Sequence, residues 1–131
     1  MKYSNTQRKI LVAEDDDSMR RFIEVTLRKA GYAVVSVEDG LLAMKSMFEA
    51  DFDAIVADAV MPHLSGFDLC RMLRHADGCV EKKDTPFIIL SGLEKNAGAD
   101  NHLADVYLRK DNNIKENLIK TLDAVLDKSS V

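Results

Sequence analysis

Acidic side chains follow the first and the third of five short apolar runs in this chain. Glu14 and Asp15 come directly after Ile10–Ala13, and Asp58 comes directly after Ala54–Ala57. If these runs are neighbouring parallel strands, the three carboxylates converge, and a like-charged pair 4 Å apart costs about 4 kcal/mol at an effective dielectric of 20. Such a cluster must take up protons or hold a cation. Because every donor is an oxygen, the pattern favours Mg²⁺ over Zn²⁺, which prefers nitrogen and sulfur.

A hydroxyl and an amine follow the fourth and fifth runs. Ser91 comes after Phe87–Leu90, and Lys110 comes shortly after the weaker fifth run. Three carboxylates, one Mg²⁺ and one lysine sum to about zero charge, so the site is suited to accept a phosphoryl group. Asp58 stands alone on its strand. Since carboxylates form aspartyl-phosphate intermediates, we predict Asp58 as the nucleophile.

The elements that must position these groups alternate along the chain. The apolar runs are continuous, which is typical of buried parallel strands, and the segments between them have apolar residues at helical spacing. We predict strands over Ile10–Ala13, Ala33–Val37, Ala54–Ala57, Phe87–Leu90 and Asp105–Leu108. The first helix is predicted to be capped by Asp16 or Asp17 and to end at Gly31.

Each predicted helix has one apolar stripe. In the first helix the expected buried residues are Met19, Phe22, Ile23, Thr26, Leu27 and Ala30. A second helix over about Leu41–Ala50 is expected to bury Leu41, Met44 and Phe48, and a third over about Gly66–Ala76 to bury Phe67, Cys70 and Leu73 or Met72. The last helix is expected to bury Leu118, Leu122, Val125 and Leu126. Gly and Asn interrupt the stretch 92–103, so a fourth helix there is short or irregular.

This alternation predicts an α/β fold with a doubly wound five-stranded parallel sheet in the flavodoxin-like order 2-1-3-4-5. The carboxyl ends of strands 1 and 3 then border the crevice where the winding reverses. With 131 residues the chain fits one domain. We assign 1–8 to an N-terminal extension, 9–128 to the domain and 129–131 to a C-terminal tail.

Charge and hydropathy narrow the function classes. The formal net charge is −4, the wrong sign for tracking phosphate backbones, so we expect no direct nucleic-acid binding. The apolar runs are strand-sized and the N-terminus lacks an apolar leader core, so we expect no membrane insertion and a cytoplasmic location. Cys70 and Cys79 fit no metal or disulfide pattern and are interpreted as reduced thiols.

Four motifs carry a family resemblance. ILVAEDDDSMRRF, DAIVADAVMPHLSGFDL, IILSG and YLRK occur in this order, and across nearly the whole chain they resemble the receiver domains of two-component response regulators. The resemblance implies that Glu14 and Asp15 hold Mg²⁺, directly or through water. It also implies that Asp58 is the phosphoacceptor, and that Val60 offers its backbone carbonyl to the metal.

The same resemblance assigns the remaining site residues and the partners. Ser91 corresponds to a switch hydroxyl that hydrogen-bonds the phosphoryl group, Lys110 to the basic residue that pairs with it, and Tyr107 to a switch aromatic. A histidine kinase or a histidine phosphotransfer protein would donate the phosphoryl group, docking near Arg20, Arg21 and Arg28. An unidentified downstream protein would read the result by protein–protein contact.

Two departures from the family pattern bear on switching. Asp111 follows Lys110 where family members usually have a cis proline, so we expect a trans bond and a displaced lysine. The stretch from Ser91 to Lys110 is also shorter than the corresponding stretch in most family members.

Four functions compete on this sequence. The leading one is a phosphorylation-dependent signalling switch, which is not an enzyme in its own right. The alternative is a degenerate receiver that acts as a phosphorylation-independent interaction module. A haloacid-dehalogenase-like phosphatase would need an acidic residue at the position of Val60. A flavin carrier would need hydroxyls and backbone N–H groups that hydrogen-bond the flavin phosphate where this chain has EDDD.

Overall fold

The structure is a computed structural model that describes residues 7–75, 82–92 and 103–129. Strands and helices alternate in the order β1 (Lys9–Ala13), α1 (Asp17–Lys29), β2 (Ala33–Val37), α2 (Gly40–Glu49), β3 (Ala54–Asp58), α3 (Gly66–Arg74), β4 (Phe87–Ser91), β5 (Val106–Arg109) and α4 (Ile114–Ser129). The strands form one parallel sheet in the order β2-β1-β3-β4-β5. The predicted architecture is confirmed. The short or irregular helix expected after Gly92 lies outside the described residues, as does Cys79.

The sheet is covered on both faces, which explains why its central strands are continuously apolar. Every residue of β3 and β4 is buried. Alternate residues of these strands enter two separate cores. One core contains buried residues of α1 and α4, and the other contains buried residues of α2 and α3.

Helix α1 begins and ends at the predicted signals. The Asp16 carboxylate accepts a hydrogen bond from the Met19 amide at 2.7 Å, and Gly31 has a φ of 100°, the left-handed conformation that terminates helices. The predicted stripe is too wide, because Phe22 is 42% exposed and Ala30 is exposed as well. Ile23 and Leu27 already fill the contact with the sheet.

Helix α2 presents a different face from the one predicted. Leu41 is 45% exposed, so the prediction that it is buried is wrong. Gly40, Ala43 and Met47 are buried instead, because two small residues at the start of the helix allow close approach to the neighbouring loop and sheet. Met44 and Phe48 pack beside this stripe, as expected.

The last two helices follow their sequence pattern. In α3 the buried side chains include Cys70 and Leu73, and Phe67 packs partly buried against the same core. In α4, Leu118, Leu122 and Leu126 are buried. These contacts fix β3, β4 and β5 relative to one another, and therefore the groups at their carboxyl ends.

Candidate functional site

Parallel pairing brings the three predicted carboxylates together. Ala13 of β1 is the register partner of Ala57 of β3, so the residues that follow both strands lie at the same edge of the sheet. Carboxylate oxygens of Glu14, Asp15 and Asp58 all lie within 4.8 Å of one another. The predicted convergence is confirmed.

The three acids differ in exposure. Glu14 is 1% exposed and Asp58 is 7% exposed, whereas Asp15 is open to solvent. Burial is costly for an ionised carboxylate unless it is paired or hydrogen-bonded. The two buried acids therefore depend on a neighbouring cation.

Lys110 supplies one such cation. Its Nζ lies 2.8 Å from Glu14 Oε1 and 2.9 Å from Asp58 Oδ2. The backbone holds it there, because the Lys110 amide donates to the Ser91 carbonyl at 2.9 Å. The bond to Asp111 is trans, as expected, since none of the described peptide bonds is cis. The lysine nevertheless reaches the predicted phosphoacceptor.

Burial and charge act against each other in this group. Burial raises the pKa of Glu14, and its contact with Lys110 and the hydrogen bond from the Asp16 amide only partly oppose this. Burial alone would lower the pKa of Lys110, but contacts with Glu14 and Asp58 outweigh it, so the pKa of the ammonium group is raised. The lysine is therefore charged at neutral pH.

The donor set fits a hard divalent cation. Glu14 Oε1 is fully buried, and despite its proximity to Lys110 it has no hydrogen bond of good geometry within the part of the chain described. Three carboxylates face one ammonium group here, so a further cation would lower the free energy. All three side chains offer oxygen, which Mg²⁺ prefers.

The remaining predicted residues surround this cluster or lie further off. Ser91 ends β4 and is buried, one residue beyond Leu90, the register partner of Asp58. Val60 is 67% exposed on the loop after β3. Tyr107 lies within β5 and stacks on Phe67 of α3, with ring centroids 6.2 Å apart.

Sequence reasoning missed the role of Arg20. Its Nη1 donates to the Glu14 carbonyl at 3.0 Å, and its Nη2 pairs with Asp17 at 2.6 Å. Arg28 likewise pairs with Glu24 at 3.0 Å. The arginines of α1 are thus partly neutralised by acids of the same helix. The spacing of Arg20 and Asp17 could have suggested this pair.

The loop between β3 and α3 was also not anticipated. His63 has a φ of 73°, and the Leu64 amide donates to the Pro62 carbonyl at 2.9 Å, which makes a tight turn of a strained type. Ser65 and Asp68 then form a reciprocal capping box at the start of α3. The box is readable from sequence, since a serine precedes an acid by three residues.

Fold and site together define a class. The protein is a doubly wound α/β domain with an acidic, lysine-paired cluster at the carboxyl ends of its two central strands, where such folds bind ligands. Among the described residues, none of the helices combines the length and apolar character that crossing a membrane requires.

Comparison with known proteins places the chain within this class. The family model of the response regulator receiver domain matches residues 10–123. The chain therefore belongs to the response regulator receiver domain family. Receiver domains are signalling domains of two-component systems and interact with histidine kinases.

Individual relatives agree. The chain is 32% identical over 121 residues to the response regulator ArlR of Staphylococcus epidermidis, covering 89% of this chain and 52% of that protein. The chain spans about half the length of this curated relative.

Solved structures match over almost their whole length. The chemotaxis response regulator CheY4 of Vibrio cholerae is 31% identical, with a TM-score of 0.79 over 92% of this chain and 99% of that one. The response regulator TrrA of Thermotoga maritima, solved in complex with Mg²⁺–BeF, is 27% identical, with a TM-score of 0.78 over 89% of this chain and 98% of that one.

Proposed function

We propose that this protein is a phosphorylation-dependent switch in which Asp58 accepts a phosphoryl group from a phosphohistidine. One observation carries the proposal: the buried Asp58 carboxylate lies within 2.9 Å of Lys110 Nζ and within 4.8 Å of oxygens of Glu14 and Asp15. An oxygen nucleophile, a fixed ammonium group and two further carboxylates are thereby in one place.

Mg²⁺ fits the oxygen donors and, when bound, supplies positive charge that offsets the charge of a phosphoryl group. Glu14, Asp15, Asp58 and the Val60 carbonyl are the proposed ligands. Complex formation between TrrA and Mg²⁺–BeF supports this choice.

The chain's own residues perform the transfer. An Oδ of Asp58 attacks the phosphorus, a P–O bond forms, and the P–N bond to the histidine breaks, with the electron pair leaving on the imidazole nitrogen. Lys110, already beside Asp58, then faces the new phosphoryl oxygens. Water later attacks the acyl phosphate and regenerates the carboxylate and inorganic phosphate.

Ser91 and Tyr107 are the proposed switch residues. Ser91 ends the strand next to Asp58, so its hydroxyl is suited to hydrogen-bond a phosphoryl group on that residue. Tyr107 lies on β5 and contacts α3 through Phe67. Phosphorylation would bias two arrangements of the surface around β4 and β5, which a downstream protein reads by contact.

The donor is proposed to dock on a groove between α1 and α4. This groove has a volume of about 630 Å³ and is lined by apolar residues, including Phe22 and Val25, beside Arg21, Lys29 and Lys115. An apolar floor with a basic rim suits a helical surface that carries acidic residues. A histidine kinase or a histidine phosphotransfer protein would provide it.

The test is Mg²⁺-dependent labelling from a small phosphodonor such as acetyl phosphate. We expect the wild type and Asp84→Asn, which changes an exposed remote acid, to take up label. Asp58→Asn should take up none, because an amide is not a nucleophile toward phosphorus. Labelling of Asp58→Asn equal to wild type would refute the proposal.

The alternative function is an interaction module that works without phosphorylation. Asp111 in place of the family's proline favours it, whereas the short distance between Lys110 and Asp58 favours a working acceptor. The two functions are distinguished by the affinity of the protein for a partner that the wild type captures. Equal affinity for that partner with and without beryllofluoride and Mg²⁺ would support the alternative.

Three broader proposals accompany this function. Residues 9–128 form the folded unit, which limited proteolysis can test. The protein acts in the cytoplasm, and it does so without direct nucleic-acid contact, as its net charge of −4 suggests.

A further inference from the structure

The loop between β3 and α3 is held in a strained shape. Its first residue, Ala59, donates to the Leu90 carbonyl at 2.8 Å, and the tight turn at His63 closes with the Leu64 amide bonded to the Pro62 carbonyl. The positive φ of His63 is a conformation that residues with a side chain rarely adopt. Such a conformation persists only when neighbouring structure fixes it.

The neighbour that fixes this turn is the first residue of α2. Gly40 is buried, and its amide lies 3.4 Å from the same Pro62 carbonyl. A Cβ on Gly40 would overlap the Leu64 carbonyl oxygen and lie 2.6 Å from the Leu64 Cβ. The close contact is with backbone, which cannot rotate away as a long side chain can. Only glycine allows α2 to approach this closely.

The cap and the buried face of α2, and the far side of the loop, leave little freedom to adjust. Asp39 caps α2 through the Leu42 amide at 2.9 Å, and Ala43 and Met47 are buried against the core. On the far side, the capping box of Ser65 fixes the start of α3. A displaced Leu64 must therefore shift the loop itself, which carries Val60 and continues directly from Asp58.

We propose that Gly40 is a positioning residue for the cation site: by admitting the turn at His63 against α2, it holds the loop after Asp58 in the shape that binds Mg²⁺. This inference rests on the proposed function, because it concerns the same cation. Gly40 touches neither the cation nor the phosphoryl group. It acts through the Pro62–Leu64 backbone, as outer residues of metal sites orient the inner ones.

The test compares Mg²⁺ affinities by isothermal titration calorimetry on the full chain. Gly40→Ala should bind Mg²⁺ about tenfold more weakly than wild type, with shifted amide resonances at His63 and Leu64. Gly92→Ala is the matched control, because a methyl group there meets nothing within 4 Å. Met47→Ala is the second control, since it removes buried contacts of the same helix about two turns from Gly40.

A merely structural role would lower the melting temperature of Gly40→Ala and Met47→Ala alike and leave both with wild-type Mg²⁺ affinity. That result would overturn the inference. If Gly40→Ala does not fold, the pair His63→Gly and Gly40→Ala/His63→Gly replaces it, because glycine at position 63 relaxes the turn. Equal affinities within that pair would contradict the inference.

The proposed function can fail separately. If the wild type binds no Mg²⁺, the proposed cation site is wrong, and the inference about Gly40 is wrong with it. A wild type that binds Mg²⁺ and accepts phosphate, with Gly40→Ala unchanged in affinity, overturns the inference alone.

Discussion

Lys110 is the residue on which the charge balance of the site depends. Its ammonium group lies within 3 Å of oxygens on two buried or nearly buried carboxylates, Glu14 and Asp58. Removing one partner of a buried ion pair leaves an uncompensated buried charge. The free-energy cost of that charge exceeds the stabilisation that the intact pair provides. The lysine therefore supports both the fold near the site and the proposed chemistry.

Replacing Lys110 by methionine should have two opposite effects. Phosphorylation from a small donor should slow by about 100-fold, because a group that stabilises developing charge is lost. The rise in melting temperature on adding Mg²⁺ should be larger than in wild type, because the three carboxylates then lack their own cation. Labelling kinetics and thermal melts measure both effects.

Lys120→Met is the control for this prediction, since Lys120 is exposed on α4. It should match wild type in both assays. A Lys110→Met variant with wild-type labelling would show that the lysine has no part in the transfer.

The sequence anticipated these site residues because each directly follows or ends a strand. It did not anticipate the detail around Lys110. Asp111 indicated a trans bond, which is confirmed, but not that a flexible four-carbon side chain would still span the distance to Asp58. Side-chain reach depends on where β5 lies relative to β3, and no local pattern contains that distance.

Among the elements, the start of α3 is the one most directly tied to the site, because it ends the loop after Asp58. Ser65 Oγ accepts from the Asp68 amide at 3.1 Å, and the Asp68 carboxylate accepts from the Ser65 amide at 2.9 Å. The hydrogen bond from the Ser65 backbone lowers the pKa of Asp68, against the opposing effect of burial. The box contributes stability that is lost as the pH falls into the carboxyl range.

Ser65→Ala should lower the free energy of unfolding by about 1 kcal/mol, because an N-cap bond is lost. Urea unfolding at neutral pH measures this. Ser46→Ala, in the interior of α2, should cause no loss, because alanine is the better helix former. Equal stabilities of Ser65→Ala and wild type would contradict the capping role.

A second link between elements joins the end of α1 to α4. The Tyr32 hydroxyl donates to Asp123 Oδ1 at 2.5 Å. Burial, together with this carboxylate, raises the pKa of Tyr32 well above its ordinary value of 10.0. The folded state thus holds the phenol proton more tightly than the unfolded state, and stability falls as the pH rises above about 10.

Tyr32→Phe should therefore lose about 1 kcal/mol of unfolding free energy at pH 7, through the lost hydrogen bond. It should also show a shallower loss of stability between pH 9 and about 11. Urea unfolding across this range gives both values. If the stability of Tyr32→Phe falls with rising pH as steeply as that of the wild type, groups other than Tyr32 cause the loss.

At the scale of the whole molecule, the proposed Mg²⁺ site predicts a stability that depends on the cation. Since Mg²⁺ is proposed to bind the folded chain, the free energy of unfolding should rise by about 1.4 kcal/mol for each tenfold increase in Mg²⁺ above its dissociation constant. Chelation with EDTA should reverse the gain.

Asp15→Asn should reduce this stabilisation, because Asp15 is one of the three carboxylates that converge. Asp84→Asn removes the same charge from an exposed position away from the cluster and should keep the full effect. Thermal melts at a series of Mg²⁺ concentrations separate the two variants. Identical curves would mean that Mg²⁺ acts through general screening.

The sequence by itself determined the layered fold and the edge at which the site lies. Continuous apolar runs that alternate with helical stripes allow few topologies, and carboxyl ends of parallel strands meet at one edge. The convergence of Glu14, Asp15 and Asp58 follows from that topology without any measured distance.

Only the tertiary structure decided which face of α2 is buried, how Lys110 bridges two acids, and how Gly40 meets the turn at His63. Leu41 and Ala43 are both apolar, so local hydropathy does not choose between them, whereas the available space beside the loop does. Each of these features depends on the separation of elements that are remote in the chain, and packing sets such separations collectively.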